Sequence, residues 1–248
     1  MEKELNAYKK YLERTGFAPA PVTTALIDMD GVLYNSMPNH SEAWKRLSKD
    51  MGWEYKENEF FLNEGMTGAA IIRQIVLRNT GVEHVSDEEA KRLYDIKAKY
   101  FNELPKVEPM KDTDKVLDVL RRNNVTRVLV TGSGQNSLLQ RLDNDYPGMF
   151  LPNLRVTAYD VKKGKPDPEP YLMGLEKAGA EAASTIVIEN APLGAQAGHA
   201  ANCFTVAVTT GPVPEEALYD HGADIVYPTM AAFAEALPTL IALRNEYK

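Results

Sequence analysis

Asp28-Met29-Asp30-Gly31 closes a short apolar run, Thr24-Ala25-Leu26-Ile27, and sets two carboxylates one residue apart at the end of a strand. Alternate residues of an extended chain point the same way. Asp28 and Asp30 therefore face one site while Met29 packs away. Gly31 permits a sharp turn and a close approach of a ligand to the backbone. Paired carboxylates repel one another unless a hard cation lies between them, and ligation by oxygen alone suits Mg2+. Taken singly, the pattern is also that of an ordinary strand cap.

Three further junctions of the same kind follow. Thr131-Gly132-Ser133-Gly134 comes after the apolar run ending at Val130 and stands ahead of a helix. Small hydroxyls and backbone N–H groups there can receive a phosphate, or simply cap the helix. Gly164-Lys165-Pro166-Asp167-Pro168 holds a lysine in a stiff loop, from which its ammonium can neutralise a transferring phosphoryl group. Glu189-Asn190-Ala191-Pro192-Leu193-Gly194 offers a second pair of oxygen donors after another apolar run. Each has a bland reading alone. Together, at strand ends of one sheet, they define a metal-assisted phosphoryl-transfer site.

The elements that must position these residues are an α/β core and a helical insert. Residues 1–16 read as an exposed helix outside the fold proper, closed by Gly16 and followed by Pro19 and Pro21. Between Asn35 and Leu104 the apolar residues recur at helical spacing, as in Ala43, Trp44, Leu47 and Met51, in Ile71, Ile72, Ile75 and Val76, and in Ala90, Leu93, Tyr94 and Phe101. Ser86 and Glu89 have the spacing of a capping box. After Pro105 and Pro109, helices alternate with the strands Arg127–Val130, Arg155–Ala158, Thr185–Ile188, Phe204–Val208 and Asp224–Tyr227. All-apolar strands alternating with helices predict a parallel sheet covered on both faces. The expected organisation is an N-terminal extension over 1–21, a Rossmann-like core over 22–34 and 106–248, and an α-helical cap over 35–105.

The net charge of -7 over 248 residues argues against a nucleic-acid partner, which needs a basic face. The single Cys203, within an apolar run, reads as a small buried hydrophobe. No stretch has the length of a membrane span, and the charged N-terminus lacks a signal peptide's apolar core. The expectation is a cytoplasmic monomer whose partner is a small phosphorylated substrate.

These motifs resemble the haloacid dehalogenase superfamily, over about residues 22–230. The signatures are a strand ending in DxDG (Asp28, Asp30), a strand ending in Thr or Ser (Thr131), a lysine in a GKP-like loop (Lys165) and an acidic pair after a later strand (Glu189, Asn190). The helical insert resembles that family's α-helical cap. Its opening His40 and Trp44 are similar to the β-phosphoglucomutase-like branch, and Glu64–Ala69 with Ile188–Gly194 are similar to a bacterial inorganic pyrophosphatase of the superfamily. The resemblance implies that Asp28 is the nucleophile and Asp30 the acid and base, with a pKa above that of Asp28. It also implies that Asp28, the Asp30 carbonyl and Asn190 hold Mg2+, with Glu189 as a further or water-bridged ligand, and that Thr131 and Lys165 hold the phosphoryl oxygens with Gly132 and Ser133 nearby. Asn190 stands where the family commonly has Asp, which leaves a more electropositive site. Glu64 occupies the loop that carries cations in the sugar-phosphate mutases, so it points to solvent or reaches the metal. His40 is read as a substrate contact or a helix-face histidine. Inorganic pyrophosphate is the leading substrate expected, with a small sugar phosphate, hydrolysed or isomerised, as the alternative. A catalytically weak phosphate-binding regulator is the reading of another class.

Overall fold

The computed structural model describes residues 1–246 and has one six-stranded sheet in the order β3-β2-β1-β4-β5-β6. Its strands are β1 (Thr24–Ile27), β2 (Thr126–Val130), β3 (Arg155–Val156), β4 (Thr185–Glu189), β5 (Phe204–Val208) and β6 (Ile225–Tyr227), and all neighbouring pairs are parallel. The chain order reverses at β1, which pairs with β2 on one side and β4 on the other, so Ile27 aligns with both Leu129 and Ile188. Connections leave such a switch point in opposite directions and open a crevice at the strands' carboxyl ends. The four motifs fall at the ends of β1, β2 and β4 and in the loop after β3.

Strand alternation divides the core in two. Ala25, Ile27, Leu129, Ile186 and Ile188 pack on one face against α1 (Glu2–Thr15), α6 (Thr113–Arg122), α7 (Asn136–Asp145) and α11 (Met230–Glu246). Leu26, Val128, Val130 and Val187 pack on the other against α8 (Glu169–Ala178) and α9 (Pro192–Ala200). A short α10 (Glu215–Asp220), not foreseen from the sequence, leads into β6. Strand burial is continuous in β1, β4, β5 and β6, as the apolar runs require.

The insert between β1 and α6 comprises α2 (Met37–Met51), α3 (Glu59–Leu62), α4 (Gly68–Thr80) and α5 (Asp87–Glu103), and it has its own apolar centre of Trp44, Leu47, Phe60, Ile72, Ile75 and Leu93. The expected fold class, a Rossmann-like parallel core with an inserted α-helical cap, is therefore present. Half of the expected capping box forms. The Ser86 hydroxyl accepts the Glu89 N–H, but the Glu89 carboxylate turns to Arg92.

The N-terminal helix corrects the sequence reading. Tyr8 and Tyr11 of α1 are buried within the main core cluster rather than exposed. Both rings contact Phe204, and the Arg244 guanidinium of α11 lies 5.0 Å from the Tyr8 ring and 5.8 Å from the Tyr11 ring. The Tyr11 hydroxyl donates to the Asn202 carbonyl at 3.0 Å, and Arg14 pairs with Asp224 at 3.3 Å. Only a narrow stripe of apolar side chains stands out in a highly charged helix. The partner that completes its burial, Arg244, is a residue type rarely found inside.

Candidate active site

Backbone pairing continues one residue past β1, because the Asp28 N–H donates to the Ile188 carbonyl at 3.0 Å. That fixes the Asp28 side chain at the crevice. Gly31 follows with φ +83°, and a Cβ there would lie 2.0 Å from Asn190 Nδ2. Glycine is required at this position both for its conformation and for its closeness to Asn190. Thr131 and Ser133 form successive hydroxyl turns, with Thr131 Oγ1 accepting the Ser133 N–H at 3.0 Å and Ser133 Oγ accepting the Gln135 N–H at 3.2 Å.

A cavity of about 50 Å³ lies between the cap and these loops. Asp28, Asp30, Thr131, Gly132 and Ser133 line it from the core, and His40 and Glu64 line it from the cap. Lys165, Glu189 and Asn190 sit behind that wall rather than on it: Lys165 bonds to Asp28, Asn190 to Glu64, and Glu189 to Lys165. The expected residues thus converge, in two layers.

Lys165 is fully enclosed and donates to Asp28 Oδ1, to Glu189 Oε1 at 2.6 Å and to the Val130 carbonyl at 3.2 Å. Burial works against its charge, but the two carboxylates outweigh it and hold its pKa above the ordinary value. Glu189, expected as a further or water-bridged metal ligand, here also anchors Lys165 and the loop that follows β4. Its Oε1 accepts Lys165 and the Tyr171 hydroxyl, both at 2.6 Å, while Oε2 accepts the N–H groups of Asn190 at 3.0 Å and Ala191 at 3.3 Å. Those bonds occupy the acceptor capacity of one carboxylate. Its seat depends on Gly194, where a Cβ would lie 2.0 Å from the carboxyl carbon.

Glu64 faces inward. The Asn190 side-chain N–H donates to Glu64 Oε1 at 3.0 Å, and Glu64 is buried. Burial, reinforced by Asp28, raises its pKa well above the usual carboxylate range. The other half of the Asn190 amide, Oδ1, is buried with no hydrogen-bond partner. A buried carbonyl oxygen without a donor is costly, and here it adjoins carboxylates that repel one another. A hard cation would satisfy all of them. Among the described residues no three His, Cys, Asp or Glu side chains are arranged to hold an ion, so such a site depends on the Asn190 amide and backbone oxygen as well as carboxylates.

Asp30 has a separate environment. Ser36 Oγ donates to Asp30 Oδ1 at 2.5 Å, and His40 Nε2 reaches the same oxygen at 3.0 Å. Lys97 Nζ in turn donates to His40 Nδ1 at 2.5 Å, which places the histidine proton on Nε2, facing Asp30. Burial opposes ionisation of Asp30, but its pairing with His40, the Ser36 hydrogen bond and the nearby Lys97 outweigh it, leaving the carboxyl below its ordinary pKa. Asp28 is shifted the other way, raised by burial and by Glu189 and Asp30 against the pull of Lys165. The two carboxyls are therefore shifted in directions opposite to the expectation. Asp28 stands among like charges, whereas Asp30 faces donors.

Ser36, Lys97 and Tyr171 were not singled out from sequence. Lys97 carried a readable signal, since it occupies the apolar stripe of α5 between Leu93 and Phe101 at intervals of four. It is buried beside the rings of Trp44, Tyr94 and Phe101 at 5.2–5.4 Å, and burial lowers its pKa to about 7.

This fold and this arrangement of strand-end residues define a phosphoryl-transfer α/β hydrolase with a helical cap. A family model of haloacid dehalogenase-like hydrolases matches residues 25–208, and the chain belongs to that family. It is 28% identical over 183 residues to hexitol phosphatase A of Escherichia coli, spanning 74% of this chain and 81% of that one. It is 30% identical over 188 residues to the validoxylamine A 7'-phosphate phosphatase of Streptomyces hygroscopicus subsp. limoneus, spanning 75% and 85%. A Bacteroides vulgatus structure assigned provisionally as a beta-phosphoglucomutase superimposes with TM-score 0.94 at 42% identity, over 99% of both chains. None of these names refers to pyrophosphate. No helix among the described residues is long and apolar enough to cross a membrane.

Proposed function

We propose that the chain is a Mg2+-dependent phosphohydrolase of small phosphorylated sugars or polyols, working through an aspartyl-phosphate on Asp28. The observation that carries the chemistry is an Asp28 backed by Lys165, beside an Asp30 that has its own donors, the two carboxylates lining one cavity between core and cap. The named phosphatase relatives support the substrate class, which takes the place of pyrophosphate as the leading reading. Asp28, the Asp30 carbonyl and Asn190 would hold the Mg2+ ion, which would supply positive charge to offset the clustered carboxylates.

In the first step an Asp28 carboxylate oxygen attacks phosphorus and the bond to the leaving oxygen breaks; Asp30, which His40 and Ser36 hold ionised in the free site, takes up a proton when substrate enters and delivers it to that oxygen. Lys165 and the Thr131–Ser133 loop stabilise the phosphoryl oxygens. In the second step Asp30 takes a proton from water, which attacks phosphorus. The bond to Asp28 breaks, phosphate leaves, and both carboxyls regain their starting states. His40 and Ser36 orient Asp30, and Lys97 sets the tautomer of His40. Glu189 and Tyr171 hold Lys165 in place.

A second reading, pyrophosphate, is favoured by one observation. Glu64 lines the cap side of the cavity and bonds to Asn190, and the cap loop from Glu64 to Ile72 contains no lysine or arginine for a distal sugar phosphate. The same feature disfavours mutase chemistry, which must grip a second phosphate. A phosphate-release screen with Mg2+ over hexitol phosphates, hexose phosphates, glycerol phosphate and pyrophosphate separates the readings. Preference for polyol or sugar esters supports the first, and turnover of pyrophosphate alone replaces it with the second. Conversion of glucose 1-phosphate to glucose 6-phosphate without phosphate release overturns both.

A further inference from the structure

A cavity of about 50 Å³ accommodates little beyond a phosphoryl group and water, yet a second void of about 270 Å³ adjoins it at the seam between α4, α5 and the core. The two share the side chain of Tyr94 and the backbone of Gly68. Tyr94 is seated between glycines of opposite domains. A Cβ on Gly68 of the cap would lie 2.1 Å from the ring, and one on Gly134 of the core would lie 3.4 Å from it. The Gly134 N–H donates to the Tyr94 hydroxyl at 3.2 Å, and the Tyr159 hydroxyl donates to the Gly134 carbonyl at 3.0 Å. The ring is therefore a partition, held at its edge by one hydrogen bond to the phosphate-side loop.

We propose that Tyr94 sets the size limit on the leaving group, and that the void behind it is the subsite for a polyhydroxylated leaving group once the ring turns aside. The inference rests on the phosphohydrolase reading above. The lining fits that chemistry. The tyrosine faces of Tyr94 and Tyr159 suit the C–H faces of a polyol, and Thr67, Asp87, Lys91 and Lys162 surround them with hydroxyl, carboxylate and ammonium groups for its oxygens.

Two polyol esters that differ only in length, glycerol phosphate and a hexitol phosphate, provide the test. Tyr94→Leu opens the partition, and the ratio of kcat/KM for hexitol phosphate over glycerol phosphate should rise about tenfold, the scale on which pocket volume discriminates. Tyr94→Phe keeps the ring and loses only the hydroxyl that Gly134 holds, so its ratio should move in the same direction as Tyr94→Leu but by no more than about twofold. Gly68→Ala leaves the tyrosine intact but displaces its ring, and it should move the ratio the same way as Tyr94→Leu if that variant fails to fold. An unchanged ratio in both Tyr94→Leu and Gly68→Ala overturns the inference while leaving the phosphohydrolase reading intact, as does an equal change in Tyr94→Phe. Absence of phosphate release from either ester with wild-type protein removes the reading itself, and the inference with it.

Discussion

Replacing Lys97 by methionine should make the protein more stable near neutral pH and less active, and the size of the first effect follows from burial. The ammonium has three aromatic faces around it and one hydrogen bond to His40, with no carboxylate in direct contact. Desolvation brings its pKa from 10.5 to about 7. A lysine depressed in this way binds its proton more weakly in the folded state than in the unfolded chain. Below pH 7 both states are charged and the folded state bears the whole penalty. At about 1.4 kcal/mol for each pH unit, the upper limit of that penalty is about 5 kcal/mol. Between pH 7 and 10.5 the folded lysine is neutral while the unfolded one remains charged, so the penalty shrinks and vanishes at the top of the window. Methionine has nearly the same length and no charge. Urea unfolding of both proteins at a series of values from about pH 7 to 9.5 gives the difference directly. The advantage of Lys97→Met should be greatest at the lower end and decline by up to about 1.4 kcal/mol per pH unit as pH rises. Turnover at pH 7 should fall about tenfold, because His40 loses the donor that keeps its proton on the side of Asp30. Parallel stability curves, or a wild-type advantage that grows toward low pH, would refute the argument that Lys97 is held in the cap at a cost.

Asp28→Asn should abolish turnover and, without metal, raise the melting temperature, because burial and neighbouring carboxylates already disfavour the Asp28 charge. Loss of activity with a lowered melting temperature would contradict the second half. Glu64→Ala should lower pyrophosphate hydrolysis far more than p-nitrophenyl phosphate hydrolysis, and equal losses would remove the case for a cap-borne carboxylate acting on the site. Mg2+ should raise the melting temperature of the wild type in a saturable way and have much less effect on Asn190→Leu, since that variant lacks the unpartnered buried oxygen. Tyr11→Ala should cost about 4 kcal/mol in urea unfolding, the range for truncating a large buried aromatic residue, and an exposed helix would cost almost nothing.

The sequence was most legible where one residue type has few uses at its position. Apolar runs of four or five residues ended at the sheet's switch point, and their last residues had to face the crevice. That placed Asp28, Thr131 and Glu189 without reference to any contact. It also located the helical cap, because α2, α4 and α5 have strong apolar stripes, whereas α3, only four residues long, has too little sequence to show a period. Side-chain partnerships across the cap were not legible. His40 belongs to Asp30, and Lys97 to His40, through contacts that span 10 and 57 residues. The task of Glu189 depended on Tyr171, and the inward turn of Glu64 on Asn190. The N-terminal helix was misread for the same reason, since its burial requires a guanidinium more than two hundred positions away.

The most direct test of the central claim is to trap the covalent intermediate. Protein mixed with excess hexitol phosphate and Mg2+ is quenched in acid within the turnover time and reduced with borohydride, which converts an aspartyl-phosphate to homoserine. Peptide mass spectrometry should find homoserine at position 28 and at no other aspartate, and none after the same treatment of Asp28→Asn. Phosphate release by a wild-type sample that yields unmodified Asp28 at every quench time, or reduction at Asp30 instead, would contradict the account.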